Sequence, residues 1–271
     1  MTFMIVRLKD PMGKGITGHW VHAEENPKWV RVAFNGETIA DSKRPILLRE
    51  AGSLPAYYFP REDVRMDLMI SNRHRISCPY KGEASYWTIR VGKKEAENAA
   101  WSYLNPAPEC SEVRGCLAFE WSKMDAWYEE EEEIFVHPRD PYKRIDAVHS
   151  SRHVRVRIGG ETVADTHRPC LVFETGHPVR YYIPREDVRM QLLEPSPTST
   201  RCPYKGIASY RSVRIGDRIF KDNAWSYEET TLECPKIKRL VCFFQERAAS
   251  ICVDGKPVER PKTKWAQDSL F

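Results

Sequence analysis

Apolar residues along this chain come in short runs. Over 29–34 they alternate loosely with polar positions, the run stops at Asn35-Gly36, and it resumes over 38–40. Alternation with a period of two marks a half-buried strand. Asn-Gly between two such runs marks a tight hairpin, because both central residues of a type I′ turn need positive φ. The stretches 45–50, 57–59 and 86–91 read as further strands, the last one stopped by Gly92. Stretches 113–120 and 123–128 read as a terminal pair. One segment carries helix-start chemistry: Pro60 precedes Glu62 and Asp63, which fall where carboxylates suit the helix dipole, and Val64 and Leu68 then share a face. The pattern predicts a mainly β chain, a β-rich α+β fold of antiparallel sheets with short helices.

The same pattern occurs twice. Shifted by 124 residues, the sequence matches itself without a gap from Val30 to Cys110, with 39 of those 81 positions identical. A period of that length means duplicated domains, not a solenoid. The expected organisation is an N-terminal extension (1–28), a first repeat (29–128), an acidic and proline-bearing linker (129–152), a second repeat (153–255) and a C-terminal tail (256–271).

Bulk composition narrows the partners. With 42 basic and 38 acidic residues mixed along the chain, no basic stripe points to nucleic acid. No apolar stretch reaches the length of a membrane span, and the first ten residues lack the apolar core of a signal peptide, so a cytoplasmic protein is expected. The eight cysteines include no C-x-x-C pair, which argues against a zinc ribbon or a thioredoxin-like site. Met12-Gly13-Lys14-Gly15 lacks the spacing of a phosphate-binding loop. No histidine of one repeat meets a histidine of the other, which excludes a histidine-based metal site or Cys–His dyad shared by both. No metal and no cofactor are expected.

What both copies keep is the more telling signal, because charged residues are rarely buried unless paired and so are not kept by packing alone. Arg44, Tyr58, Arg61, Asp63, Tyr80, Lys81, Tyr86 and Trp101 have identical partners in Arg168, Tyr182, Arg185, Asp187, Tyr204, Lys205, Tyr210 and Trp225. These residue types suit a polar pocket. Arginine and lysine hold an anionic group, tyrosine and tryptophan stack on a planar one, and a carboxylate moves a proton or orients an arginine. Asp63, Tyr86, Asp187 and Tyr210 are the candidate catalytic groups, and the other twelve are candidate ligand-binding residues. The competing reading of Glu62, Asp63 and Arg65 is a helix start held by ion pairs. The expected partner is a small molecule, anionic or aromatic. A non-catalytic ligand-binding or protein-interaction module is the alternative to an enzyme, since no standard nucleophile, triad or metal motif is present.

The blocks Arg44-Pro45, Tyr57-Tyr58-Phe59-Pro60-Arg61-Glu62-Asp63-Val64, Cys78-Pro79-Tyr80-Lys81-Gly82, Ala84-Ser85-Tyr86-Trp87 and Ala100-Trp101-Ser102-Tyr103 resemble the signature of domain-of-unknown-function family 427. The resemblance covers both repeats and implies a small β-rich domain, sometimes in tandem. The label nucleotidyltransferase-like sometimes given to that family implies transferase chemistry on a nucleotide-like ligand without supplying a mechanism. The repeats differ where the first has Trp87 and Asp125-Ala126-Trp127-Tyr128 and the second has Arg211 and Ala249-Ser250-Ile251-Cys252. If those rings wall a pocket, the first repeat is the site for a planar ligand.

Overall fold

A computed structural model describes residues 18–263, 265 and 266. Met12-Gly13-Lys14-Gly15 and the end of the C-terminal tail lie outside the described residues. The chain divides into two units between Asp140 and Pro141.

The first unit carries β1 (Val21–Glu25), β2 (Val30–Phe34), β3 (Glu37–Ser42), β4 (Ile46–Glu50), β5 (Ala56–Phe59), β6 (Met69–Cys78), β7 (Gly82–Val91), β8 (Lys94–Tyr103), β9 (Leu117–Phe119), β10 (Ala126–Glu129) and β11 (Glu132–Ile134). They form a seven-stranded sheet in the order β1-β4-β5-β9-β8-β7-β6 and a four-stranded sheet in the order β11-β10-β2-β3. Every pairing between these strands is antiparallel, as expected of a mainly β fold. The β2–β3 hairpin turns at Asn35 (φ 49°) and Gly36 (φ 81°), the two positive values that the Asn-Gly signal implies.

Strand alternation builds two apolar layers. Leu47, Tyr57, Phe59, Leu117 and Phe119 join Val32, Phe34 and Ile39 of the smaller sheet in one core. Their neighbours Leu48, Tyr58 and Ala118 face the other way, into a second cluster with Cys110 and Val113 of the 3₁₀ segment Pro108–Val113. One-residue alternation thus gives a single sheet two buried faces.

The second unit repeats this with β12 (Ile145–His149), β13 (Val154–Ile158), β14 (Glu161–Thr166), β15 (Cys170–Glu174), β16 (Arg180–Tyr182), β17 (Leu193–Cys202), β18 (Gly206–Ile215), β19 (Arg218–Tyr227), β20 (Val241–Phe243), β21 (Ser250–Val253) and β22 (Lys256–Pro257). Its larger sheet is drawn as β12-β15-β16 and β17-β18-β19-β20, joined through the Ile183–Val241 bridge.

Several expectations need correction. Residues 21–25, read as part of an extension, form β1 and pair with β4 inside the first unit. Residues 145–149, read as linker, form β12 and pair with β15 inside the second. The acidic run is a β10–β11 hairpin whose Glu129 is buried, accepting hydrogen bonds from Tyr57 (2.7 Å) and Lys28. The helix expected after Pro60 is two single 3₁₀ turns, Arg61–Asp63 and Met66–Leu68, because Val64 between them is drawn into an extended bridge with Ala40. Strands β9 and β10 do not pair with each other; β9 sits between β5 and β8, and β10 pairs with β2. No helix among the described residues is long and apolar enough to cross a membrane.

Candidate functional site

Strands β5 and β9 pair through Tyr58–Ala118 and Phe59–Leu117. Continuing that register brings Ala56, where β5 begins, opposite Glu120, where β9 has ended. At this place the first unit has a cavity of about 390 Å³. Tyr58, Tyr86, Trp101 and Tyr103 line it from the larger sheet, Trp121 from the 3₁₀ turn after β9, Trp127 from β10, and Val136 and His137 from the segment after β11.

The rings are fixed by one another. Trp101 Nε1 donates to the Tyr58 hydroxyl at 3.0 Å, with the two rings perpendicular at 6.2 Å. Tyr86 lies 6.3 Å from Trp101. Trp121 stacks on Trp127 at 4.3 Å, with 4° between their planes. The indole Nε1 of Trp127 is buried and has no hydrogen-bond partner among the described residues, although buried polar atoms are normally satisfied. Burial pushes the Tyr58 and Tyr103 hydroxyls far above the usual tyrosine range. Tyr86 is raised by burial and then by the charge of Glu120.

Two carboxylates and one lysine supply the charge at the wall. Lys81 reaches the site from the turn Tyr80-Lys81-Gly82. Gly82 stands at φ +95°, and a Cβ there would come within 2.9 Å of the Asn105 carbonyl oxygen, so only glycine lets this turn close. Lys81 Nζ is paired with Glu50, which also meets His19 Nε2 at 2.8 Å. Burial works against the charge on Glu50, but the bonds from Lys81 and His19 outweigh it and hold the carboxyl below its usual range. Glu120 is different. Ser122 Oγ donates to it at 3.2 Å, and no basic side chain pairs with it among the described residues.

The structure brings together only part of the expected set. Tyr58, Lys81, Tyr86 and Trp101 line the cavity; Arg44, Arg61, Asp63 and Tyr80 do not. Asp63 accepts from Ser42 Oγ at 2.7 Å and lies 3.9 Å from Arg44, whose guanidinium reaches Glu62 at 2.5 Å. In the second unit Asp187 is bound by Thr166 (2.7 Å) and Arg168 (2.9 Å), and Arg185 is paired with Glu228. The aspartates, offered as bases or as groups that orient an arginine, hold Arg44 or Arg168 and pin the first 3₁₀ turn to the end of the β2–β3 hairpin or its counterpart. Tyr80 stacks on His19 at 3.5 Å. Trp87, offered as a pocket wall, is buried in the core between the sheets, and Tyr128 lies under the Arg31 guanidinium at 5.4 Å. Trp127 does line the cavity. Glu50 and Tyr103 were legible, since both recur as Glu174 and Tyr227. Glu120, Trp121 and His137 were not, because nothing in the second repeat matches them.

The second unit keeps the frame and changes its contents. Trp225 Nε1 reaches the Tyr182 hydroxyl at 3.3 Å, their rings again nearly perpendicular at 6.3 Å. Lys205 again pairs with the buried acid, here Glu174, and Lys143 takes the place of His19 at 2.8 Å. Burial opposes the charge of Glu174, but these cations and His177 bring its carboxyl down to about 2. Arg180 stands where the first repeat has Ala56. It is buried and forms a two-pronged ion pair with Glu246 at 2.7 and 2.5 Å. Its guanidinium carbon lies 5.5 Å from the ring centre of Trp225, 6.0 Å from Phe244 and 5.6 Å from Trp265. Phe244, at the position of Glu120, packs on Trp225 at 4.3 Å.

The sequence profile of a family described as a domain of unknown function (DUF427) matches residues 22–130 and 146–255. No curated protein matches the chain. Each match spans nearly all of one structural unit, beginning within β1 in the first and within β12 in the second. The chain is therefore a member of the DUF427 family, carrying its domain twice in tandem.

Proposed function

We propose that the first repeat is a binding site for a small molecule with a planar group, and that the second repeat is a closed version of the same site. The observation that supports this most strongly is the contrast at one frame position. The Trp101–Tyr58 pair borders a cavity of about 390 Å³ in the first unit, whereas the Trp225–Tyr182 pair is packed against Phe244 and the Arg180–Glu246 ion pair in the second. Ligand sites are typically concave, largely apolar, and equipped with a few convergent polar groups. Eight Phe, Tyr and Trp side chains line this cavity, and its polar elements include Lys81, Glu50, Glu120, His137 and the Trp127 indole, which has no partner among the described residues. Lysine is not available as a free anion receptor, because Glu50 already holds it. The aromatic half of the expected ligand description therefore carries more weight than the anionic half.

A catalytic role is the second reading, and one observation favours it: both groups line the cavity, and after burial the charge of Glu120 further raises the Tyr86 hydroxyl's pKa. A carboxylate beside a phenol can pass a proton to or from a bound ligand.

A melting-temperature screen of the whole chain against neutral, anionic and cationic planar compounds tests the binding site, since a ligand that binds only the folded state raises the transition. Trp101→Ala should lose the stabilisation and Trp225→Ala should keep it. Absence of any stabilising compound, or equal loss from both variants, contradicts the proposal. Turnover of a hit that disappears in Glu120→Gln would add the catalytic role.

A further inference from the structure

The second repeat holds a group of its own where the first has open space, and that group has a definite chemistry. Arg180 presents a flat, permanently charged guanidinium within about 6 Å of three ring centres, the distance at which a cation gains from the face of an aromatic ring. Glu246 closes the arrangement with two parallel bonds to it. In the first repeat the position of Arg180 is Ala56, whose methyl group leaves that space open, and Ala56 lines the cavity. The conserved tryptophan is still there as Trp101, beside Tyr58 and Tyr86.

The carboxylate is there as well, moved by two positions. Ser122 replaces Glu246, and Glu120 replaces Phe244. Glu120 lines the cavity without a basic partner among the described residues. With Lys81 committed to Glu50, Glu120 is a carboxylate of the lining that has no cationic partner among the described residues. A carboxylate or a phosphate entering this space would meet the charge of Glu120 without a paired cation between them.

We infer that the ligand of the first repeat is a planar organic cation of the amidinium or guanidinium type, stacked among Tyr58, Tyr86 and Trp101 and paired with Glu120. Arg180 is its covalently attached counterpart in the second repeat. The inference rests on the small-molecule reading above and specifies the ligand's charge and shape.

The test is calorimetric titration of the whole chain at neutral pH with benzamidinium, benzamide and benzoate, three probes of one shape and three charges. Benzamidinium should bind more tightly than benzamide by about tenfold, the scale of one desolvated cation–ring or charge-pair contact, and benzoate should bind most weakly. Glu120→Gln, which removes the charge and keeps the shape, should abolish that preference and leave benzamide within about twofold of its original affinity. The double change Ala56→Arg with Ser122→Glu copies the second repeat and should block benzamidinium; if it fails to fold, Glu120→Gln still decides. Benzamide or benzoate binding as tightly as benzamidinium, or a preference unaltered by Glu120→Gln, would overturn the cationic assignment while leaving a planar-ligand site in place. No binding by any of the three would overturn the assignment too, and if the wider screen also found no ligand, the site itself would fall.

Discussion

The two repeats show the same frame with different side chains around it. In both, a tryptophan from the long strand β8 or β19 is hydrogen-bonded to a buried tyrosine of β5 or β16, and a lysine held in a glycine-closed turn is paired with a buried glutamate. In the second, Arg180, Glu246, Phe244 and Trp265 pack together beside the tryptophan; in the first, Ala56, Ser122 and Glu120 leave a cavity. Elements kept in both copies therefore describe the scaffold of the site. The elements that differ decide whether the space beside the tryptophan is open or filled, and the proposed function rests on them.

The largest way to break this comparison is to break the plug. Glu246→Ala leaves Arg180 buried and uncompensated and should destabilise the second unit by about 3–5 kcal/mol in urea unfolding. A loss within about 0.5 kcal/mol, the scatter of ordinary surface changes, would mean that the plug is not a structural element. Next comes acid. Glu174 has its carboxyl lowered from 4.5 to about 2, so its contribution is fully present above about pH 4.5, shrinks as pH falls through that window, and is gone below about 2. Unfolding measured against pH should show this loss in the wild type, on the order of 3 kcal/mol, and a flatter curve in Glu174→Gln.

The matched lysine changes sharpen the comparison further. Lys81→Ala and Lys205→Ala should each cost about 2 kcal/mol, the range for a hydrogen bond to a charged group. Lys205→Ala should cost the less of the two, because Lys143 remains beside Glu174 at 2.8 Å as a second lysine, where Glu50 keeps His19. Equal costs would refute the distinction. The smallest effect belongs to the exposed cluster around the 3₁₀ turn. Arg44→Ala should cost about 1 kcal/mol or less, as for other exposed pairs, and should leave ligand affinity unchanged. A large affinity loss would restore that cluster to the site.

The sequence revealed some layers of this structure more readily than others. Asn35-Gly36 announced its hairpin because both residues must adopt positive φ, a purely local demand. Strand β8 gave no such sign: Lys-Glu-Ala-Glu-Asn-Ala-Ala suits a helix as well as a strand, and pairing with β7 and β9 settles it. Comparing the copies singled out Tyr58, Lys81, Tyr86 and Trp101, which line the cavity, because one frame constrains both. It also singled out Asp63 and Arg44, which hold a turn, since holding a turn constrains residues as strongly as holding a ligand does. Glu120 was invisible to that comparison because its counterpart is Phe244. Its meaning appears only when strand pairing places it opposite Ala56, and Phe244 near Arg180.

The central claim is that the first repeat is open to a ligand and the second is occupied by its own side chains. Fluorine NMR of the whole chain grown with 5-fluorotryptophan, with the Trp101 and Trp225 resonances assigned by substitution to phenylalanine, tests it directly during titration with a ligand from the screen. The account predicts that the Trp101 signal moves saturably while the Trp225 signal stays in place. Movement of the Trp225 signal with Trp101 unchanged, or equal movement of both, would contradict it.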